Sequence, residues 1–230
     1  MTEVLIILTN INHYANSKLK TGLWLSELTH LYHAAMEQGY NITLASPNGG
    51  PIPIDPESLK KFLIDSVSKM YYHNVNFMKK LNNSKALKDI ENEDFDVIYL
   101  AGGHGTMYDF PNDVVMQKMI QHQYENNKIV AAICHGVSGL LNVKLSNGEY
   151  LIKGKTITGF SWFEETLPNR KNKVPFNLEA GLKARGANYK KACIPMTSKV
   201  VVDGKLITGQ NPFSSKEMAE VVIKEINKIK

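Results

Sequence analysis

No stretch of about 18 consecutive apolar residues occurs in this chain, so no segment reads as a membrane-crossing helix. Cysteine is scarce: Cys134 and Cys193 are the only two in 230 residues. That count excludes a disulfide framework and points to a reducing compartment, and the pair does not fall at zinc-finger spacing. By default Cys193 reads as a buried or half-buried structural thiol. HExxH is absent, as are GxxxxGKS and GxGxxG, so neither a zinc-protease helix nor a standard phosphate or dinucleotide loop is encoded. The first residues, MTEVLIILTN, lack a basic leader and a small-residue cleavage site, and their apolar core is too short for a signal peptide. The expected location is therefore cytoplasmic. The net charge of +5 comes from scattered lysines and small clusters at 169–173 and at the C-terminus. Aromatics are not interleaved with those clusters, which read as solvated surface rather than a nucleic-acid platform. No repeat, low-complexity segment or domain break interrupts the chain, and residues 1–230 are expected to form one domain.

What is present suits a globular α/β domain: 43% hydrophobic and 21% charged residues supply material for a sizeable core. Residues 4–8 form an apolar, branched run that predicts a central first strand. The spacing of Trp24, Leu25, Leu28, Leu31, Tyr32 and Ala35 predicts a helix from Gly22 to Gly39. Strands are expected at 40–46 and 95–100, with a turn-rich loop at 47–56. This order implies a parallel sheet with right-handed crossovers. Residues 57–91, polar and rich in Lys, Asn and Ser, read as a mostly helical cap or insertion outside the core. Further on, a helix is expected at 113–126, a hairpin-like stretch at 142–155 and a short helix at 178–185. A strand pair at 199–202 and 206–208 and an amphipathic helix at 216–229 close the chain.

The chain is organised around residues 128–140, KIVAAICHGVSGL. Ile129 to Ile133 is an unbroken apolar run, as expected of a strand buried on both faces. It stops at Cys134-His135-Gly136, and a helix-like segment follows at 137–141. Such a strand–turn–helix holds one side chain at the carboxyl end of a sheet, over backbone N–H groups that favour a thiolate, the reactive form of the thiol. Taken alone, Cys134 would read as one more core cysteine. Three other segments argue for chemistry. Glu27 lies against the apolar stripe of its helix, where burial raises a carboxyl's pKa and lets it share a proton with a nearby thiol. Gly102, Gly103, His104, Gly105 and Thr106 follow a strand directly, and glycines there bring backbone close to a ligand. Gly103 N–H and His135 N–H are candidate oxyanion donors, with His104 and Gly105 in the same substrate-facing loop. The pair Glu164-Glu165 supplies a carboxylate able to orient His135. Metal binding is the rival chemistry, and its best candidates, His30 and His33, are one helical turn apart, a spacing more often used for packing or solvent.

Four stretches in this order, KTGLWLSELTH, AGGHGTMYDFP, AAICHGVSGL and TITGFSWFEE, resemble the class I glutamine amidotransferase-like superfamily. Within it they are similar to the branch of glyoxalase III enzymes and thirty-one-kilodalton heat-shock chaperones, relatives of the PfpI and Parkinson-protein-7 types. The likeness runs from the first strand to ITGQNPFSS near the end. It implies a flavodoxin-like three-layer α/β sandwich with a mostly parallel sheet and a small helical cap, assembled as a homodimer. It also implies a nucleophile at Cys134, its histidine at His135, a carboxylate against the thiol at Glu27 and a triad acid at Glu165. Glu164 is the fallback acid and a candidate substrate ligand, and the implied oxyanion donors are Gly103 and His135. Val137 stands where many members carry proline, a change that loosens the turn and leaves the reactive groups intact. The implied activity is conversion of methylglyoxal to lactate without glutathione, cofactor or metal, with deglycation of protein adducts beside it. The second reading is a holdase chaperone for unfolded or glycated clients, acting through an apolar face at 57–91. A cysteine peptidase and a redox sensor rank below both.

Overall fold

Alternation along the first strand decides how the molecule is layered. In the computed structural model, which describes residues 1–228, β1 (Glu3–Ile7) sends Val4 and Ile6 into one apolar core and Leu5 and Ile7 into another. A strand can feed two cores only when helices cover both faces of its sheet. The elements that follow are α1 (Leu25–Glu37), β2 (Asn41–Ser46), α2 (Ser66–Tyr72), α3 (Val75–Leu81), β3 (Lys85–Ala86), α4 (Leu87–Ile90), β4 (Val97–Leu100), α5 (Thr106–Asp109) and α6 (Val114–Glu125). After them come β5 (Ile129–Ile133), β6 (Thr156–Ile157), α7 (Leu178–Ala184), β7 (Asn188–Tyr189), β8 (Val200–Asp203), β9 (Leu206–Gly209) and α8 (Ser215–Asn227).

The seven-stranded sheet runs β3-β2-β1-β4-β5-β9-β8, with parallel pairings except β8 against β9; β6 and β7 form a separate parallel pair. Leucines of α1 and the apolar stripe of α8 (Met218, Ala219, Val222, Ile226) pack on one face, while α4, α6 and α7 pack on the other. This is the flavodoxin-like, mostly parallel α/β sandwich that the sequence implies. The chain builds outward from β1 through β2 to β3, then crosses back to β4 and β5. Open sheets of this kind bind ligands where that direction reverses, outside the carboxyl ends of the strands. Here that place lies between β1 and β4, and the glycine loop 101–105 sits in it.

Residues 57–91 differ in part from the expectation of a cap outside the core. Helices α2 and α3 do lie outside α1, with Tyr32 edge-on to Tyr71 and Phe77 at 5.3 and 5.0 Å. But Phe77, Leu81, Leu87 and Ile90 are buried core residues, and Lys85–Ala86 extends the sheet. The polar average of the segment hides these few anchors. His30 and His33 are used in docking this cap: His30 Nε2 is 3.1 Å from Asp65 Oδ2, and His33 Nδ1 is 3.1 Å from Tyr71 OH. Asp65 also caps α2 by accepting from Ser68 N–H at 2.8 Å. The stretch 142–155 makes one antiparallel bridge, Lys144 to Tyr150, rather than a ladder, because Val143, Leu151 and Ile152 turn inward to the core. Cys193 is exposed, against the default of a buried thiol. Residue 229, the expected end of the last helix, lies outside the described residues. Among those described, no helix is long and apolar enough to cross a membrane.

Candidate active site

Strand β5 runs directly into Cys134, whose φ of +57° lies in the left-handed region that L residues rarely adopt. Such strain is held in place only when the surroundings over-determine it. A 3₁₀ turn over Cys134–Leu140 begins at once, three residues earlier than the helix-like segment the sequence suggests. The turn passes close to β4, and a Cβ on Gly136 would lie 2.5 Å from the Leu100 carbonyl oxygen. Cys134 is 2% exposed, yet it lines a cavity of about 320 Å³ that His104 and His135 share.

Behind the sulfur stands Glu27, in the first turn of α1 and wholly buried. Tyr99 OH donates to its backbone carbonyl at 2.7 Å and fixes the turn. The thiol and the Gly102 N–H flank the carboxyl, but neither of its oxygens meets hydrogen-bond geometry. Only glycine fits at 102, because a Cβ there would fall 2.5 Å from Glu27 Oε2. Burial pushes the Glu27 carboxyl up to about 8, against the pull of the thiol and the Gly102 N–H. Burial also pushes the Cys134 thiol up, the charge of Glu27 adds to this, and the His135 backbone N–H draws it back. Two negative charges cannot share so dry a site, so the pair keeps at least one proton through the neutral range. The thiolate forms when Glu27 holds that proton. An ionised Glu27 opposes it, and the His135 backbone N–H is what favours it.

His135 links the sulfur to Glu165. Its Nδ1 is 3.4 Å from Cys134 Sγ and its Nε2 is 2.9 Å from Glu165 Oε2. The second oxygen of the same carboxylate, Oε1, is 2.7 Å from His104 Nε2. The two imidazole rings lie 4.0 Å apart, and Phe160 packs 4.4 Å from His135. Burial alone would raise Glu165, but the two histidines outweigh it and hold the carboxyl well below its usual range. Burial and the neighbouring His135 hold His104 below the ordinary histidine value. An ionised carboxylate only accepts, so both Nε2 atoms carry hydrogen, and an imidazole bonded this way has its lone pair on Nδ1 when neutral. Ligand-type atoms of His104, His135 and Glu165 lie within 4.8 Å of one another, a spacing that would suit a divalent ion, and here they are spent on these mutual hydrogen bonds.

The structure does not bring Glu164 to the cavity. Its Oε1 accepts from Met196 N–H and Asn211 Nδ2, both at 2.8 Å. Its Oε2 accepts from Ser161 N–H, Ser161 Oγ and Gln210 Nε2 at 3.1, 2.9 and 2.9 Å. A carboxylate so filled ties loops together and has no lone pair for a substrate. Gly103, at φ +110°, is pressed onto the Gly22–Trp24 backbone, and among the described residues no acceptor takes its N–H. Gly105 packs against Thr9 and does not line the cavity. The cavity rim is apolar, built by Trp24, Phe62, Leu167 and Phe213, with Tyr14, Asp55 and Arg170 on the polar side. Thr21 Oγ1 donates to Asp55 at 3.0 Å, and Arg170 lies over the Tyr14 ring at 5.6 Å. Apart from Trp24, sequence reasoning missed this rim and the second histidine bond, because they come from loops without a periodic pattern.

A cysteine on a strained strand end, backed by a histidine and a carboxylate on a flavodoxin-like sheet, defines a class of cysteine-dependent α/β proteins. The DJ-1/PfpI family profile matches residues 19–225, and the chain belongs to that family. Glyoxalase 3 of Candida albicans is 34% identical over 232 residues, 97% of this chain and 98% of that protein. The solved structure of glyoxalase III from the same organism matches with a TM-score of 0.87 at 32% identity, covering 97% of this chain and 96% of that one. The solved Rapid Encystment Protein 24 KDa of Francisella tularensis matches with a TM-score of 0.93 at 40% identity, over 98% of this chain and 99% of that one.

Proposed function

We propose that this chain is a glutathione-independent glyoxalase that converts methylglyoxal, a small 2-oxoaldehyde, to lactate on Cys134. The observation that carries this reading is the Cys134 thiol opening on the cavity with the buried Glu27 carboxyl at its back. The likeness to glyoxalase 3 over nearly the whole chain supports it. The thiolate adds to the aldehyde carbon, and the oxyanion of the resulting hemithioacetal meets the backbone N–H groups of Gly103 and His135. A proton then passes from the former aldehyde carbon to its neighbour through an enediol. Glu27, with its pKa raised to about 8, both accepts and donates near neutral pH, and His135 stands ready beside it. The product is a thioester, which water hydrolyses to the 2-hydroxy acid and the free thiol. Glu165 holds His135 in the tautomer this needs.

Purified protein given methylglyoxal, without glutathione and with or without a chelator, should form lactate. Cys134→Ala should abolish the reaction, and Glu27→Gln should slow it by roughly 10²–10⁴-fold, as loss of a general acid–base group does. Full activity in Cys134→Ala would end this reading. A homodimer in the cytoplasm, and deglycation of protein adducts by the same thiol, belong to the same proposal. One observation favours a second role as a holdase: Phe62, Leu167 and Phe213 at the cavity mouth are 80%, 57% and 52% exposed. Suppression of client aggregation that survives Cys134→Ala would support that role, and its loss in the variant would tie the effect to the thiol.

A further inference from the structure

We propose that His104 is a second catalytic base, the group that activates water when the thioester on Cys134 is hydrolysed. The inference rests on the glyoxalase reading. That reaction moves protons in two places: around the sulfur and the two substrate carbons, and later at the attacking water. His135 is committed to the first place, with Nδ1 3.4 Å from the sulfur and Nε2 on Glu165. Glu27 is wholly buried behind the sulfur and does not line the cavity, so it serves the carbons carried on the sulfur and not a water that approaches from the cavity side. Of the polar side chains that do face the cavity, Arg170 is a cation, and burial makes the Tyr14 phenol harder to ionise. Asp55 is tied by Thr21 Oγ1 and by the Glu57 N–H that it caps, and the Glu57 carboxylate is partly exposed and paired with Lys60 Nζ at 2.6 Å.

His104 remains. Its Nε2 is spent on Glu165, and its ring lies 4.0 Å from that of His135. Among the described residues its Nδ1 has no protein partner, yet the buried side-chain polar atoms left without one there are the two Glu27 oxygens and Asp109 Oδ1. Nδ1 is therefore not sealed off, and the surface it faces is the cavity that His104 lines. One carboxylate thus fixes the tautomers of two imidazoles and stabilises whichever becomes protonated, so the two bases work in turn. In the hydrolytic step His104 Nδ1 takes one proton from water as the water oxygen bonds to the thioester carbon. The tetrahedral oxyanion collapses, and the carbon–sulfur bond breaks with its electron pair on sulfur. The proton held by His104 then returns to the departing thiolate, leaving a carboxylic acid and a free thiol.

The test uses His104→Gln, whose amide N–H still reaches toward Glu165 Oε1 but which has no second ring nitrogen, with His104→Asn as a smaller second variant. Each is mixed with methylglyoxal, freed of excess reagent and weighed intact by mass spectrometry. Lactate formation should fall by roughly 10²–10⁴-fold. Cys134 should retain an adduct of one methylglyoxal mass that persists after dilution, unlike a hemithioacetal, and that hydroxylamine releases as lactohydroxamate. Turnover at the wild-type rate in either variant would overturn the proposal, as would slow turnover in both with no trapped thioester. A wild-type protein that forms no lactate would overturn the glyoxalase reading itself and this inference with it, an outcome distinct from an active wild type whose variants trap nothing.

Discussion

At the scale of single residues, the buried carboxyl of Glu27 couples chemistry to stability. Its pKa rises from 4.5 to about 8 on folding. Between those pH values the unfolded chain is ionised at this site while the folded one keeps the proton. The unfolded state therefore binds fewer protons, and stability falls as pH rises through that window, levelling off above about 8. Glu27→Gln removes the charge and with it the penalty. The variant should melt well above wild type at about pH 9, by an amount on the order of a few kcal/mol, and the gap should close by about pH 5. Equal melting temperatures at about pH 9 would contradict the burial argument. Glu27 was legible in the sequence because Trp24, Leu28 and Leu31 surround it on one helical face. The bond from His104 to Glu165 was not legible, since it joins two loops 61 residues apart. No periodicity encodes which nitrogen meets which oxygen.

Elements carry their own constraint at the glycine loop after β4. A Cβ on Gly103 would lie 2.1 Å from the Gly22 carbonyl oxygen, at a φ of +110°. Gly148, in an outer turn at φ +82°, has nothing among the described residues within 4 Å of such a Cβ. Gly148→Ala should cost about 1–2 kcal/mol of conformational strain alone, whereas Gly103→Ala should cost more than about 3 kcal/mol or fail to fold, because backbone on both sides cannot yield. Urea denaturation of the two variants checks the ordering, and equal losses would show that the loop shifts freely. The sequence marked this loop as a close approach of backbone, and that much was readable from its three glycines. The dipeptide Glu164-Glu165 was harder. Both residues sit in one 3₁₀ turn, yet one faces the histidines and the other faces Gln210 and Asn211. Adjacent side chains on a tight turn diverge, and spacing alone does not say which way each goes.

For the whole molecule, strand order places the chemistry. The reversal at β1 leaves a crevice into which the ends of β4 and β5 deliver the glycine loop and Cys134, and α1 delivers Glu27. That arrangement followed from apolar runs separated by helical patterns, so sheet class and the three converging segments could be read from the chain. The apolar rim could not, because Phe62, Leu167 and Phe213 come from three irregular segments that only the finished fold assembles. The account turns on a thiol and a buried carboxyl that together keep one proton, with the pair's first ionisation near the value set by Glu27. The measurement that tests this most directly is kcat/KM for methylglyoxal against pH, which reports ionisations of the free enzyme. It should climb with pH through an ionisation near 8 to a plateau, as the doubly protonated pair gives way to the form that holds a single shared proton. A profile flat from about pH 6 to about pH 9 would contradict it.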